Sequence, residues 1–155
     1  MDLLNNRVIY KDPASGQEMV AVVPLVEVQL TDTVQNKKYI FIRGQRIPES
    51  KLSLAATWFQ VLVNDKVSLC REMRKLAHQT IIYGQQEKQA NIVTDEYYYV
   101  LMDENFTRVA GWKGLLEALG DKRNLLDKYI QDHHLKGKSA DDFTQLVQYY
   151  NQIKG

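Results

Sequence analysis

The sequence predicts an α+β fold, an antiparallel β-sheet or partial barrel followed by three short C-terminal helices. Three observations carry that reading. Residues 1–110 fall into short β-branched and aromatic runs separated by turn-forming residues. None of these runs is separated from the next by a helix-length amphipathic stretch, which argues against a parallel, Rossmann-like sheet. Beyond Gly111 the apolar residues change from strand-like alternation to helical spacing. A chain of 155 residues can bury a proper core without disulfide staples, so 1–155 reads as a single domain, with a β body (1–110) and a helical segment (111–155).

The β body opens with Val8-Ile9-Tyr10, followed by Lys11 to Gly16, where Pro13 and Gly16 supply turn chemistry. The apolar run 19–23 returns to complete a first hairpin. Val26 to Leu30 alternates as a half-buried strand should, residues 31–38 read as a polar loop, and Tyr39 to Ile42 forms a strand ended by Gly44 and Pro48. Trp58 to Leu69 gives the clearest hairpin. Phe59, Val61 and Val63 are expected on one face, Asn64-Asp65 in a tight turn of positive φ, and Val67 and Leu69 on the return. Thr80 to Tyr83 reads as a short strand ending at Gly84, and Gln85 to Glu96 as a polar loop. Tyr97 to Met102 is expected to pair with Phe106 to Val109 across Asp103-Glu104-Asn105.

In the helical segment, Trp112, Leu115, Leu116 and Leu119 share one face, and Gly120 is placed to end that helix. Asp121 is positioned to cap a second helix, whose stripe is Leu125, Leu126, Tyr129 and Ile130. Ser139 is positioned to cap a third, with Asp142 where a capping box carries Glu, and with Phe143, Leu146, Val147 and Tyr150 as its buried face.

Composition narrows the function classes. Net charge is +1, with 12 Lys/Arg against 10 Asp/Glu in residues 1–95 and 8 against 9 thereafter. Neither part has the basic surplus with which nucleic-acid binders displace counterions, so nucleic acid ranks last among partners. No apolar run approaches the roughly 18 residues of a membrane span, the longest, Met19 to Val26, being broken by Pro24. There is no Gly-x-Ser-x-Gly, Gly-x-x-x-x-Gly-Lys or His-Glu-x-x-His motif, and the pattern calls for no catalytic residue, metal or cofactor.

The chemistry-bearing residues each have a structural reading. Cys70, the single cysteine, lies near Lys66, Arg71 and Arg74, which favours a thiolate, but Ser68 and Cys70 alternate with Val67 and Leu69, so it faces the other sheet surface and reads as an ordinary, non-catalytic cysteine. His133-His134 are adjacent rather than four apart, so they make no metal clamp and suit a helix C-terminus. His78 is isolated. Asp103-Glu104 and Asp141-Asp142 fall at a turn and a helix start, where acidic residues are at home. Tyr97, Tyr98 and Tyr99 are the candidate partner-binding residues. Three consecutive strand tyrosines place rings on both faces, and a ring in solvent or a groove suits peptide or sugar contacts, whereas rings in the core serve packing.

Several segments together resemble a family of uncharacterised exported proteins of Gram-negative gut and soil bacteria. They are Val8 to Lys11, Phe59 to Val67, Tyr97 to Leu101, Gly120-Asp121-Lys122, Leu126 to Ile130, and Asp142-Phe143 through the closing Tyr149-Tyr150-Asn151. The helices are less lysine-rich than that family's. The resemblance implies an earlier natural start with a signal peptide, and so an N-terminal truncation here. It implies export to the periplasm or cell envelope, and it carries no activity or functional residue. The function expected is a non-enzymatic envelope or secreted module binding a protein, peptide or glycan, with homodimerisation through an exposed sheet edge. A carrier of a small apolar ligand is the alternative, and a hydrolase with a site assembled by folding the third reading.

Overall fold

The computed structural model describes residues 2, 7–23, 25–47, 51–81 and 88–154, with backbone alone for 77–81 and 88–91. The described strands are β1 (Ile9–Lys11), β2 (Glu18–Val20), β3 (Glu27–Asp32), β4 (Lys37–Arg43), β5 (Trp58–Val63), β6 (Ser68–Ile81), β7 (Lys88–Met102) and β8 (Asn105–Val109). The helices are α1 (Gly111–Ala118), α2 (Arg123–Asp132) and α3 (Ala140–Lys154). Strands β1 and β2 form a ribbon, and the other six form an open sheet in sequence order, ended by β3 and β8 and not closed into a barrel. The fold is α+β with antiparallel sheets and a helical C-terminal end. Among the described residues no helix is long and apolar enough to cross a membrane.

The chain divides into two compact units, Met1–Leu25 with Met73–Glu96, and Val26–Glu72 with Tyr97–Gly155. In the first unit the ribbon pairs Ile9 with Val20, Tyr10 with Met19 and Lys11 with Glu18. Its turn is built by Asp12, whose carboxylate accepts hydrogen bonds from the Ser15 hydroxyl at 2.6 Å and the Ser15 N–H at 3.0 Å. Those bonds hold the Asp12 carboxyl below the usual range. Gly16 supplies the left-handed φ of +70° that closes the turn.

The second unit holds every buried apolar residue described, and its sheet is covered on both faces. On one face Val67, Leu69, Tyr98 and Val100 pack against Leu115, Leu119, Leu126, Phe143, Leu146 and Val147 of the helical segment. On the other, Phe59, Cys70 and Tyr99 pack with Ile47 and Leu54 from the connection between β4 and β5. The predicted buried face of α3 is the observed one. Ser139 and Asp142 form the expected capping box: the Asp142 N–H donates to Ser139 Oγ at 3.1 Å, and the Ser139 N–H to the Asp142 carboxylate at 3.4 Å. Gly137, at φ +65°, lets the α2–α3 link pass so close to Trp112 that a Cβ there would lie 2.2 Å from the indole.

The structure revises several local expectations. The loop at 31–38 shrinks to 33–36, because Asp32 accepts from the N–H groups of Val34 and Gln35 and Asn36 takes a positive φ of 49°. The positive-φ tight turn expected at Asn64-Asp65 is instead found at Asp103-Glu104, with φ of 49° and 64°, while residues 64–67 form a longer connection. Phe59 and Val61 share a face, but Val63 does not join them. A bulge sets Val61 opposite Cys70 and Val63 opposite Leu69, which turns Val63 to the helix side.

Thr80-Ile81 is the end of the long β6 rather than a separate strand, and 88–96 belongs to β7 rather than to a loop. Tyr83, Gly84 and 85–87 lie outside the described residues, as does Pro48. Asp121 does not cap α2. It lies in a 3₁₀ turn, Gly120–Lys122, and its carboxylate accepts the Tyr150 hydroxyl at 2.9 Å. On α2, Leu126 is fully buried and Tyr129 and Ile130 partly so, whereas Leu125 is exposed.

Candidate functional site

Strand alternation sends Tyr98 to the helix side of the sheet and Tyr97 and Tyr99 to the other. Tyr98 stacks on Phe143 with ring centroids 4.1 Å apart. Tyr99 packs against Phe59 and Phe106, and its hydroxyl donates to the buried Glu72 carboxylate at 2.9 Å. Both rings are buried, Tyr98 by the helices and Tyr99 because Ile47 and Leu54, from the connection between β4 and β5, cover the face that alternation alone would leave open. Tyr97 is half-buried, under the Arg108 guanidinium at 4.0 Å from its ring centroid.

Cys70 is buried beside Phe59 and Tyr99, and that burial pushes its thiol up to about 12, away from any thiolate chemistry near neutral pH. His133 ends α2 with its ring 4.1 Å from that of Tyr129, and His134 takes the left-handed φ of 53° that follows. These are cap positions, as their place in the sequence implies. The side chain of His78 lies outside the described residues. Among the described residues no group of three or more His, Cys, Asp and Glu is placed to hold a metal ion.

Two other places are more open to function. The first is the β1–β2 ribbon. Ile9 and Val20 lie on one face and Tyr10 and Met19 on the other, and all four are exposed. Beyond β2 the chain continues into Val22 and Val23, exposed at 94% and 67%. A ribbon with apolar side chains on both faces and only three residue pairs buries little of its own surface.

The second is a cleft of about 350 Å³ where β4, β5 and β6 meet the first turn of α3. Gln60 and Arg71 stand opposite each other across β5 and β6, on the helix side of the sheet, and both line it. The Arg71 guanidinium is oriented by Gln60, whose Oε1 accepts from Nη2 at 2.6 Å and from Nε at 3.2 Å. Lys37 and Tyr39 of β4 form one side, and Ser139, Ala140 and Asp141 the other. Sequence reading missed both places. The ribbon had a signal, since the continuous apolar run 19–23 puts apolar groups on both faces. The cleft had none, because its residues come from four separate stretches of chain.

In comparisons with protein-family models, curated proteins and solved structures, the chain matches none of them.

Proposed function

We propose that this chain is a non-enzymatic binding module of the cell envelope or the secreted fraction, and that it engages another polypeptide through the β1–β2 ribbon. The observation that carries the reading is the exposure of Ile9, Tyr10, Met19 and Val20 on the ribbon and of Val22 and Val23 just beyond it. Branched aliphatic groups on a ribbon suit a polypeptide partner, which can add a strand to its edge and cover its side chains at once. They suit a glycan poorly, since sugars are held by aromatic platforms and polar groups. The resemblance of the Tyr-rich strand and closing Tyr-Tyr-Asn to exported proteins supports a place outside the cytoplasm.

The test is a cross-linked capture from the native organism with the full-length gene product, followed by binding of each purified partner to the purified protein. Met19→Lys with Val22→Lys is expected to weaken the purified interaction at least tenfold while leaving the circular dichroism unchanged. A self-associating protein, seen by sedimentation, would make the partner a second copy. A partner bound equally well by the double variant would move the interface elsewhere. A protein recovered alone, or found only in the cytoplasmic fraction, would overturn the reading.

A further inference from the structure

We propose that β3 is a docking edge for a second copy of this chain, the two β3 strands pairing antiparallel about Gln29 to join the two sheets into one. The edge belongs to the second unit, so the proposal does not depend on the ribbon's partner.

Strand β3 ends the six-stranded sheet, and among the described residues no strand pairs with its outer side. Its backbone groups divide by alternation. The Arg43 N–H donates to the Val26 carbonyl at 2.9 Å, one step beyond the Glu27–Ile42 pair of the ladder. The ladder to β4 therefore uses Val26, Val28 and Leu30, and the N–H and C=O groups of Glu27, Gln29 and Thr31 point outward. Edge strands that stay single are guarded by a lysine, a proline or a bulge. Here Glu-Val-Gln-Leu-Thr-Asp has none of these and keeps unbroken register with β4 along its whole length. Its two carboxylates are engaged within the chain. Glu27 accepts from Arg46 and from the Gln29 amide, and Asp32 from the N–H groups of Val34 and Gln35.

The side chains select both the occupant and the register. Val28 and Leu30, opposite Phe41 and Tyr39, share one face of β3, and Leu30 is 40% exposed. Glu27, Gln29 and Thr31 share the other. Pairing about Gln29 sets that residue against itself, Val28 against the second copy's Leu30, and Glu27 against its Thr31. Outward-pointing residues then meet only each other, and each of these three pairs exchanges two backbone hydrogen bonds. Apolar meets apolar twice, in the closer non-bonded pairs, and no like charges stand opposite. Lys38, beside Thr31 on β4, comes to lie about 10 Å, two strand spacings, from the second copy's Glu27. No other register does as well. An axis between residues sets one face against the other. An axis at Leu30 sets Val28 against Asp32, and one at Val28 carries Thr31 past the start of the strand, so each leaves two bonded pairs instead of three. This self-complementarity is what points to a second copy rather than to an unrelated strand.

The interface is small, so the dimer is a reversible one. The experiment is sedimentation velocity of the purified chain from about 10 µM to about 1 mM, where the mass is expected to rise from monomer towards dimer. Leu30→Lys supplies the missing guard at an already exposed position and is expected to weaken the dimer at least tenfold, with circular dichroism unchanged. Oxidative cross-linking tests the register without disturbing the fold. The Cα atoms of two facing Gln29 residues stand about 5.5 Å apart, within reach of a disulfide, whereas those of two Thr31 residues lie four positions out of register. Gln29→Cys is therefore expected to cross-link at least tenfold faster than Thr31→Cys, and the native Cys70, being buried, does not compete. Met19→Lys with Val22→Lys is expected to dimerise as the parent does, so that this edge and the ribbon fail separately. A monomer at about 1 mM would overturn the proposal. So would a dimer indifferent to Leu30→Lys, a dimer lost in the ribbon variant, or Gln29→Cys cross-linking no faster than Thr31→Cys.

Discussion

Asn151 ties α3 to the hairpin connection beneath it. Its Oδ1 accepts from the Val67 N–H and its Nδ2 donates to the Val67 carbonyl, both at 2.8 Å and buried. One side chain thus satisfies both polar groups of a backbone residue that no ladder reaches and no water can solvate. Asn151→Ala removes both bonds and strands both Val67 groups. The expected cost is about 3 kcal/mol, measurable by urea denaturation. Tyr150, its neighbour, is buried and donates to Asp121, and burial first, then that bond, pushes its hydroxyl up to about 12. Cys70 is pushed up to a similar value by burial. Both groups stay protonated in the folded state when the unfolded chain has lost the proton. The unfolded state then binds fewer protons, so stability falls as pH rises. The fall is expected to begin near pH 9 for Cys70 and near pH 10 for Tyr150, by about 1.4 kcal/mol per pH unit for each group. Denaturation midpoints at pH 8, 9.5 and 10.5 check this. Cys70→Ala should remove the earlier part of the slope, and an unchanged slope would mean the thiol is not the group responsible.

Among the elements, the β7–β8 turn is built against the preference of one of its residues, Glu104. Met102 pairs with Asn105, so Asp103 and Glu104 alone make the two-residue loop, and both take positive φ. That geometry matches strand twist and suits Asn or Asp at the first position, but calls for glycine at the second, where Glu104 stands. Asp103→Asn with Glu104→Gly is expected to stabilise the fold by about 1 kcal/mol, read as a higher thermal midpoint. The Lys154 ammonium, 3.9 Å from an Asp103 carboxylate that is largely exposed, contributes little that the change would lose. The bulge in β5 is a second element-scale decision. By inserting one residue it lets Phe59 serve one face of the sheet and Val63 the other, so a six-residue strand reaches both packing layers. The same face-setting places Gln60 opposite Arg71 on the helix side, where the cleft forms.

For the whole molecule, the burial is unevenly shared. The described apolar core belongs to the second unit, and the β1–β2 ribbon of the first is exposed along its length. Local opening free energy follows buried contact, so amide exchange is expected to separate the two. The N–H groups of the ribbon should exchange within minutes near neutral pH, while those of β5 and of α3 around Leu146 and Val147 should exchange only on global unfolding. Equal protection across both units would mean that something covers the ribbon in solution. Adding the ribbon's purified partner should slow its exchange without affecting that of α3.

The three helices, the capping box at Ser139, the first hairpin and the strand at Tyr97 were all legible in the residues, because each rests on spacing within a few positions. The alternation of Cys70 with Leu69 likewise placed the thiol on the sheet face opposite Leu69, and the structure shows that the helices cover the Leu69 side. What stayed hidden depended on partners distant in sequence. Residues 88–96 are mostly polar, yet they are strand, since a backbone ladder does not depend on apolar side chains. Tyr99 is buried because Ile47 and Leu54 fold over it, and irregular chain carries no period from which that could be read. Asp121 turned from its expected cap to the Tyr150 hydroxyl for the same reason. Local sequence sets the alternation along a strand and the stripe along a helix, while only the tertiary structure decides where a bulge resets it, as at Val63, and what each side chain meets, because contact depends on chain brought in from elsewhere.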